Sequence, residues 1–232
     1  MMNPHTINGH DIPERIRMLP RDHRGYPVPW FVHRDADGKH DFRVIGAGKI
    51  EQAIRRDICW ICGGPLARNK AFVIGPLAAI ARYHGEAPSH RSCAQFAAEV
   101  CPFLSKPRMR RNDRDMPAEA QKLPGMVLHN PGVCAVWTTR AFRIVPVDNG
   151  VLFHLNDPVD VMWFSQGKPA TRGEVVQAMD RGLAIMIDEA REDSEQAVQA
   201  LLQAIARMRQ YLPKGGKDDE PGQAAKRHAN AA

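Results

Sequence analysis

The sequence predicts an α+β protein: a zinc-stapled, treble-clef-like N-terminal module, then a small antiparallel sheet with C-terminal helices. Three observations carry that expectation. Cys59-Trp60-Ile61-Cys62 and His90-Arg91-Ser92-Cys93 are two ligand pairs with zinc-site spacing. Between positions 133 and 164, short β-rich runs are separated by turn residues such as Asp148-Asn149-Gly150. Val198, Leu201, Ile205, Met208 and Leu212 alternate spacings of three and four, which draws one apolar stripe along a helix.

Taken in order, residues 1–19 read as a flexible arm with at most a short helix over Glu14–Leu19. A zinc-binding α+β module follows over 20–104. Its first element is a β-hairpin, with strands Pro29–Val32 and Asp41–Ile45 joined by Asp35-Ala36-Asp37-Gly38. Lys49–Arg56 reads as a helix with Ile50, Ala53 and Ile54 on one face. Ala71–Gly75 reads as a strand. Ser89 is the expected N-cap of a helix running from His90 to about Val100 and ended by Pro102.

Residues 105–125 read as a basic linker and 126–212 as the sheet with its helices. The strands fall at Val133–Thr138, Phe142–Val147, Val151–Leu155 and Val159–Phe164, with a turn over Ser165–Pro169. Thr171-Arg172-Gly173-Glu174 has the form of a capping box and opens a short helix through Met179. A long helix is expected from Ile185 to Leu212, and 213–232 reads as a disordered tail.

Composition narrows the function classes. No uninterrupted apolar run approaches the ~18–20 residues a membrane helix needs, and no secretory h-region opens the chain, so a cytoplasmic protein without a membrane partner is expected. Four of the five cysteines cluster within 59–101. In such a compartment clustering points to metal or redox chemistry rather than a disulfide framework. The formal net charge is +6, and arginine outnumbers lysine. Guanidinium forks suit phosphate, so DNA or RNA is one candidate partner and another protein the alternative.

Zinc takes four ligands in a tetrahedron, and a structural Zn2+ is the expected cofactor. Cys59 and Cys62 form a knuckle offering two sulfurs, with Gly63 placed to turn backbone N–H groups toward the thiolates. His90 and Cys93, three apart, share one helix face. A redox pair at Cys59 and Cys62 is the competing reading. Cys101 and His84 are alternative ligands. Cys134 reads as a core cysteine.

The basic strip Lys106, Arg108, Arg110 and Arg111 is the candidate nucleic-acid contact, with Arg21 and Arg24 as possible additions. A solvated linker is the alternative. Trp30 and Phe31 are candidates for base stacking or for core. No catalytic constellation emerges. His84-Gly85-Glu86 matches the His-x-Glu of zinc deaminases, but the Cys-x-x-Cys precedes it rather than follows. No histidine pair has an HNH-nuclease arrangement, and Walker, nucleophile-elbow and dinucleotide fingerprints are missing. An enzyme with an unrecognised site stays open as a third class.

The runs Leu19–Val32, Asp41–Ile45, Cys59-Trp60-Ile61-Cys62-Gly63, Ala71–Pro76, Ser89-His90-Arg91-Ser92-Cys93-Ala94 and Cys101–Leu104 together resemble an uncharacterised family of bacterial and phage proteins. The resemblance covers 19–112 and continues more loosely through Asn130–Val133 and Gly167–Thr171. It implies a phage or mobile-element context and no particular activity.

Overall fold

The chain opens with a hairpin of the smallest kind. β1 (Thr6–Ile7) and β2 (His10–Asp11) meet across Asn8-Gly9, both at positive φ, and α1 (Glu14–Arg17) follows. In this computed structural model residues 5–35, 37–106, 109–110, 130–148 and 150–215 are described. The loose arm expected over 1–19 is, from residue 5 on, a folded strap. Ile12 and Ile16 are buried against Cys59, Ile61, Cys93 and Phe96, with Ile7 and Leu19 alongside. Apolar residues recurring every three to five positions supply one buried face, and the polar residues between them point outward.

β3 (Val32–Arg34) and β4 (His40–Ile45) make the expected hairpin, but its first strand starts three residues later than the sequence suggests. Pro29 has no N–H, and Trp30 donates its N–H to Ile61 O at 2.7 Å, so this stretch binds the cysteine loop instead of β4. Gly38 has the expected positive φ; Ala36 lies outside the described residues. α2 (Lys49–Arg56) matches expectation, bracketed by Gly48 and Asp57 in left-handed conformation.

β5 (Lys70–Ile74) leads into α3 (Pro76–Ala81), where proline at the first helical position fits the helix φ, and then β6 (Tyr83–His84). α4 (Arg91–Val100) is capped by His90 rather than the expected Ser89. Ser89 is taken by a backbone bridge to Ala71, with N–H···O distances of 2.7 and 2.8 Å. Pro102 ends α4 and begins the single turn α5 (Pro102–Ser105).

β7 (Val133–Thr139), β8 (Phe142–Val147), β9 (Gly150–Leu155) and β10 (Pro158–Ser165) lie within two residues of their expected bounds; Asn149 of the expected turn is outside the described residues. β11 (Lys168–Pro169) turns back on β10 through Gln166-Gly167, both at positive φ. All pairings are antiparallel. One sheet has the order β11-β10-β7-β5 and another β6-β9-β8. β5 and β6 come from the first half of the chain, so both halves share both sheets.

α6 (Arg172–Asp193) opens with the predicted capping box: Thr171 Oγ1 accepts from Glu174 N–H, and the Glu174 carboxylate accepts from Thr171 N–H. It does not stop near Met179 but runs 22 residues. The break comes instead at Ser194, whose side chain caps α7 (Glu195–Met208), and a 3-10 turn, Arg209–Tyr211, finishes it. Gly182 is no helix breaker. A Cβ there would lie 2.4 Å from Leu77 Cδ1, so it permits close approach of α3.

Every residue of β7 is buried, because both faces are covered. Val133, Ala135 and Trp137 face the main core with Trp60, Phe72, Phe153, Met179, Ile205 and Met208. Cys134 and Val136 face Ala94 and Ala98 of α4. Leu201 and Leu212 join the main core, so the α7 stripe packs on its own chain. Among the described residues no helix is long and apolar enough to cross a membrane.

Candidate metal centre

Residues 57–66 form a tight knuckle. Cys59 N–H donates to Gly64 O, Gly63 N–H donates to Cys59 O, both at 2.8 Å, and Leu66 N–H closes the loop onto Asp57 O. Two anchors fix its position: Trp60 N–H donates to Pro88 O, and Ile61 O accepts from Trp30. The first of these brings the knuckle beside Ser89 and the N-terminus of α4. His90 is the N-cap and Cys93 lies in the first turn.

The consequence is that Cys59, Cys62, His90 and Cys93 offer four ligand atoms all within 4.8 Å of one another. His90 Nδ1 is 3.4 Å from Cys62 Sγ and 3.8 Å from Cys93 Sγ. A tetrahedral zinc with ordinary bond lengths separates sulfur from nitrogen by about 3.6 Å. These four residues are therefore close enough to hold one metal ion, and the separations are compatible with zinc. The other ring nitrogen supports the same reading. His90 Nε2 lies 2.9 Å from Pro65 O, and a carbonyl only accepts, so Nε2 carries the proton and Nδ1 turns its lone pair to the sulfurs.

Burial shields the site unevenly. Cys59 and Cys93 are fully buried, while Cys62 is partly exposed. Cys59 Sγ accepts from the backbone N–H groups of Cys62 and His90 at 3.4 Å each, and the Cys62 and Cys93 side chains lie beside it as further donors to its thiolate. Those donors hold its thiol far below the usual range, and the resulting thiolate holds the Cys62 and Cys93 thiols up. The pocket thus favours negative charge on one sulfur, Cys59, and a bound dication would extend that preference to all three.

Neither alternative ligand joins the group. His84 is in β6, its ring edge-on to Phe72, and burial pushes its imidazole down to about 4. Its Glu86 partner is 3.9 Å away, so the His-x-Glu pair stands apart from the cysteines. Cys101 is the C-cap of α4, with its thiol pushed up by burial. Cys134 is core, its thiol pushed up to about 12 by the same cause.

The basic residues are placed less completely. Lys106 and Arg110 are exposed, whereas Arg108 and Arg111 lie outside the described residues. Arg24 is held by Asp22 at 2.8 Å, and Arg21 donates to Gly25 O. Trp30 and Phe31 go to the core. Phe31 stacks on Trp60 with centroids 4.7 Å apart, and Trp30 meets the same ring edge-on at 6.3 Å.

Two features escape motif reading. Pro65 orients the His90 ring through a carbonyl, which no side-chain pattern reports. Arg15, from the presumed arm, stands beside the knuckle. Only its place among Ile12, Ile16 and Leu19 hinted that this stretch folds. No family model, curated protein or solved structure matches the chain.

Proposed function

We propose that the chain is a non-enzymatic binding module whose N-terminal half is stapled by one structural zinc ion on Cys59, Cys62, His90 and Cys93. The carrying observation is the convergence of four ligand atoms within 4.8 Å, with His90 Nε2 already committed to Pro65 O. Four protein ligands fill a tetrahedron and leave no position for a reacting water, which favours a structural over a catalytic ion. Two ligands from a knuckle and two from the start of α4 support a treble-clef-like reading, with β5, α3 and β6 lying between them.

The partner we favour is the phosphate backbone of DNA or RNA. The net charge of +6 and the exposed Lys106 and Arg110 support it, with Arg108 and Arg111 completing the strip. Elemental analysis tests the metal: one zinc per chain is expected, lost in Cys59→Ser and in Cys93→Ser. Purified protein with no zinc and full thermal stability in chelator would overturn that part. A salt titration tests the partner. Each phosphate contact adds about −0.9 to the slope on B-DNA, and reversing Arg108, Arg110 and Arg111 should weaken binding to all sequences alike. Absence of binding at ~50 mM salt, where phosphate contacts are strong, would leave a protein partner as the better reading.

A further inference from the structure

Cys62 is the corner of the cluster that solvent can reach, since Cys59 and Cys93 are fully buried. Gly64 lies at that corner. A Cβ built on it would sit 3.6 Å from Cys62 Sγ, 3.9 Å from His90 Cε1 and 4.0 Å from an Arg15 guanidinium nitrogen. One side-chain-free position thus has the exposed sulfur, the ligand imidazole and a cation around it. The cation arrives by design of the strap. Ile12 and Ile16 are anchored in the same apolar cluster as Cys59 and Cys93, which turns Arg15 of α1 toward the knuckle.

Arg15 is also uncommitted. Neighbouring cations are spoken for: Arg17 Nε donates to Ile12 O, Lys70 pairs with Asp57, and Arg91 pairs with Asp160. Arg15 has no hydrogen-bond or ion-pair partner among the described residues. A zinc ion with three thiolates and one neutral imidazole carries one net negative charge. That charge, at a partly exposed sulfur, attracts a guanidinium with five N–H donors and no other acceptor.

We infer that Arg15 is a positioning residue of the metal centre, a charge partner held over its open corner that stabilises the Cys62 thiolate and slows attack on it. The inference rests on the zinc reading above. A cation beside a metal-bound thiolate withdraws electron density and lowers its nucleophilicity. It also opposes the dissociation of that sulfur from the ion. Arg15 is exposed and belongs to no core cluster, so its removal should leave the fold intact. The strap is held by Ile12 and Ile16 instead.

The experiment uses the full chain with its native metal. Zinc content is measured first for wild type, Arg15→Gln and Arg15→Lys. Each protein then meets N-ethylmaleimide, a neutral reagent that Arg15 does not attract by charge, and zinc release is followed with a chromophoric chelator. Arg15→Gln should release zinc about threefold faster or more, and Arg15→Lys should stay near wild type. The difference should shrink at high salt, because the pair is partly exposed. Equal rates for wild type and Arg15→Gln at one zinc per chain would overturn the inference and leave the metal reading standing. So would a faster Arg15→Gln with a lowered melting temperature, since that marks lost packing. Wild-type protein without zinc would overturn both.

Discussion

Gly63 meets two demands at once. Its φ is +71°, and a Cβ there would lie 2.6 Å from Trp30 Cδ1. The left-handed conformation turns the knuckle, and the bare backbone lets Trp30 lie flat against it under Lys49, whose Nζ is 4.0 Å from the ring centroid. Alanine would carry the left-handed penalty of about 1–2 kcal/mol and an overpacking cost of about 1–3 kcal/mol. We expect Gly63→Ala to lower the denaturant midpoint at unchanged slope, a loss of about 2–5 kcal/mol in unfolding free energy. Gly173→Ala is the control: nothing lies within 4 Å of its Cβ position, near the start of α6, so stability should hold or rise slightly. Equal midpoints for the two variants would show that Trp30 yields freely.

Among the elements, α6 shows how packing overrides a local breaker signal. Gly182 costs about 1 kcal/mol of helix propensity, yet the helix runs straight through it. The compensation is the approach of Leu77 from α3, which reaches the space a side chain would fill. A substitution favoured by propensity alone should therefore harm the fold. Gly182→Val is expected to cost about 1–3 kcal/mol by driving α3 from α6. Adding Leu77→Ala should recover part of that loss, a coupling measurable in a double-mutant cycle. Strictly additive costs would argue that the two helices do not meet at this point. Ser194 ends α6 for a different reason: its extended φ of −170° and its side-chain cap on Ala197 N–H start α7 in a new direction.

For the whole molecule, the consequential link is β5 to β7. Five consecutive residue pairs, Lys70–Thr139 to Ile74–Ala135, join the half that carries the Cys/His cluster to the C-terminal half. β6 repeats the link by pairing with β9. The candidate metal site sits at one end of this arrangement, because Ser89 bridges Ala71 of β5 immediately before His90. Stripping the metal should then weaken both halves together. We expect chelation to lower the melting temperature by about 5–10 °C or more, in a single transition. Fluorescence of Trp60 and of Trp137 and Trp163 should move together with the circular dichroism. Two separate transitions, with the second half melting as before, would mean that the shared sheets do not couple the halves.

The convergence of Cys59, Cys62, His90 and Cys93 was legible in the sequence because it depends on spacing and chemistry within two short segments. So were α2, strands β8 to β10 and the Thr171–Glu174 box, whose signals are local: turn residues, a two-residue period, a cap. The α7 stripe was legible as an apolar face, and Leu201, Ile205, Met208 and Leu212 pack on the chain's own core. Other features depended on tertiary structure. The strap became structured because Ile12 and Ile16 found Cys59, Cys93 and Phe96 far along the chain. The cap of α4 moved to His90 because Ser89 was needed by Ala71, and the helix expected to end at Met179 runs on to Asp193, with Ser194 capping the next. Arg15 reached the knuckle beside Gly64 only by riding on that strap. Local propensities are properties of a few adjacent residues, whereas burial and charge pairing depend on which distant residues the fold brings within a few ångströms.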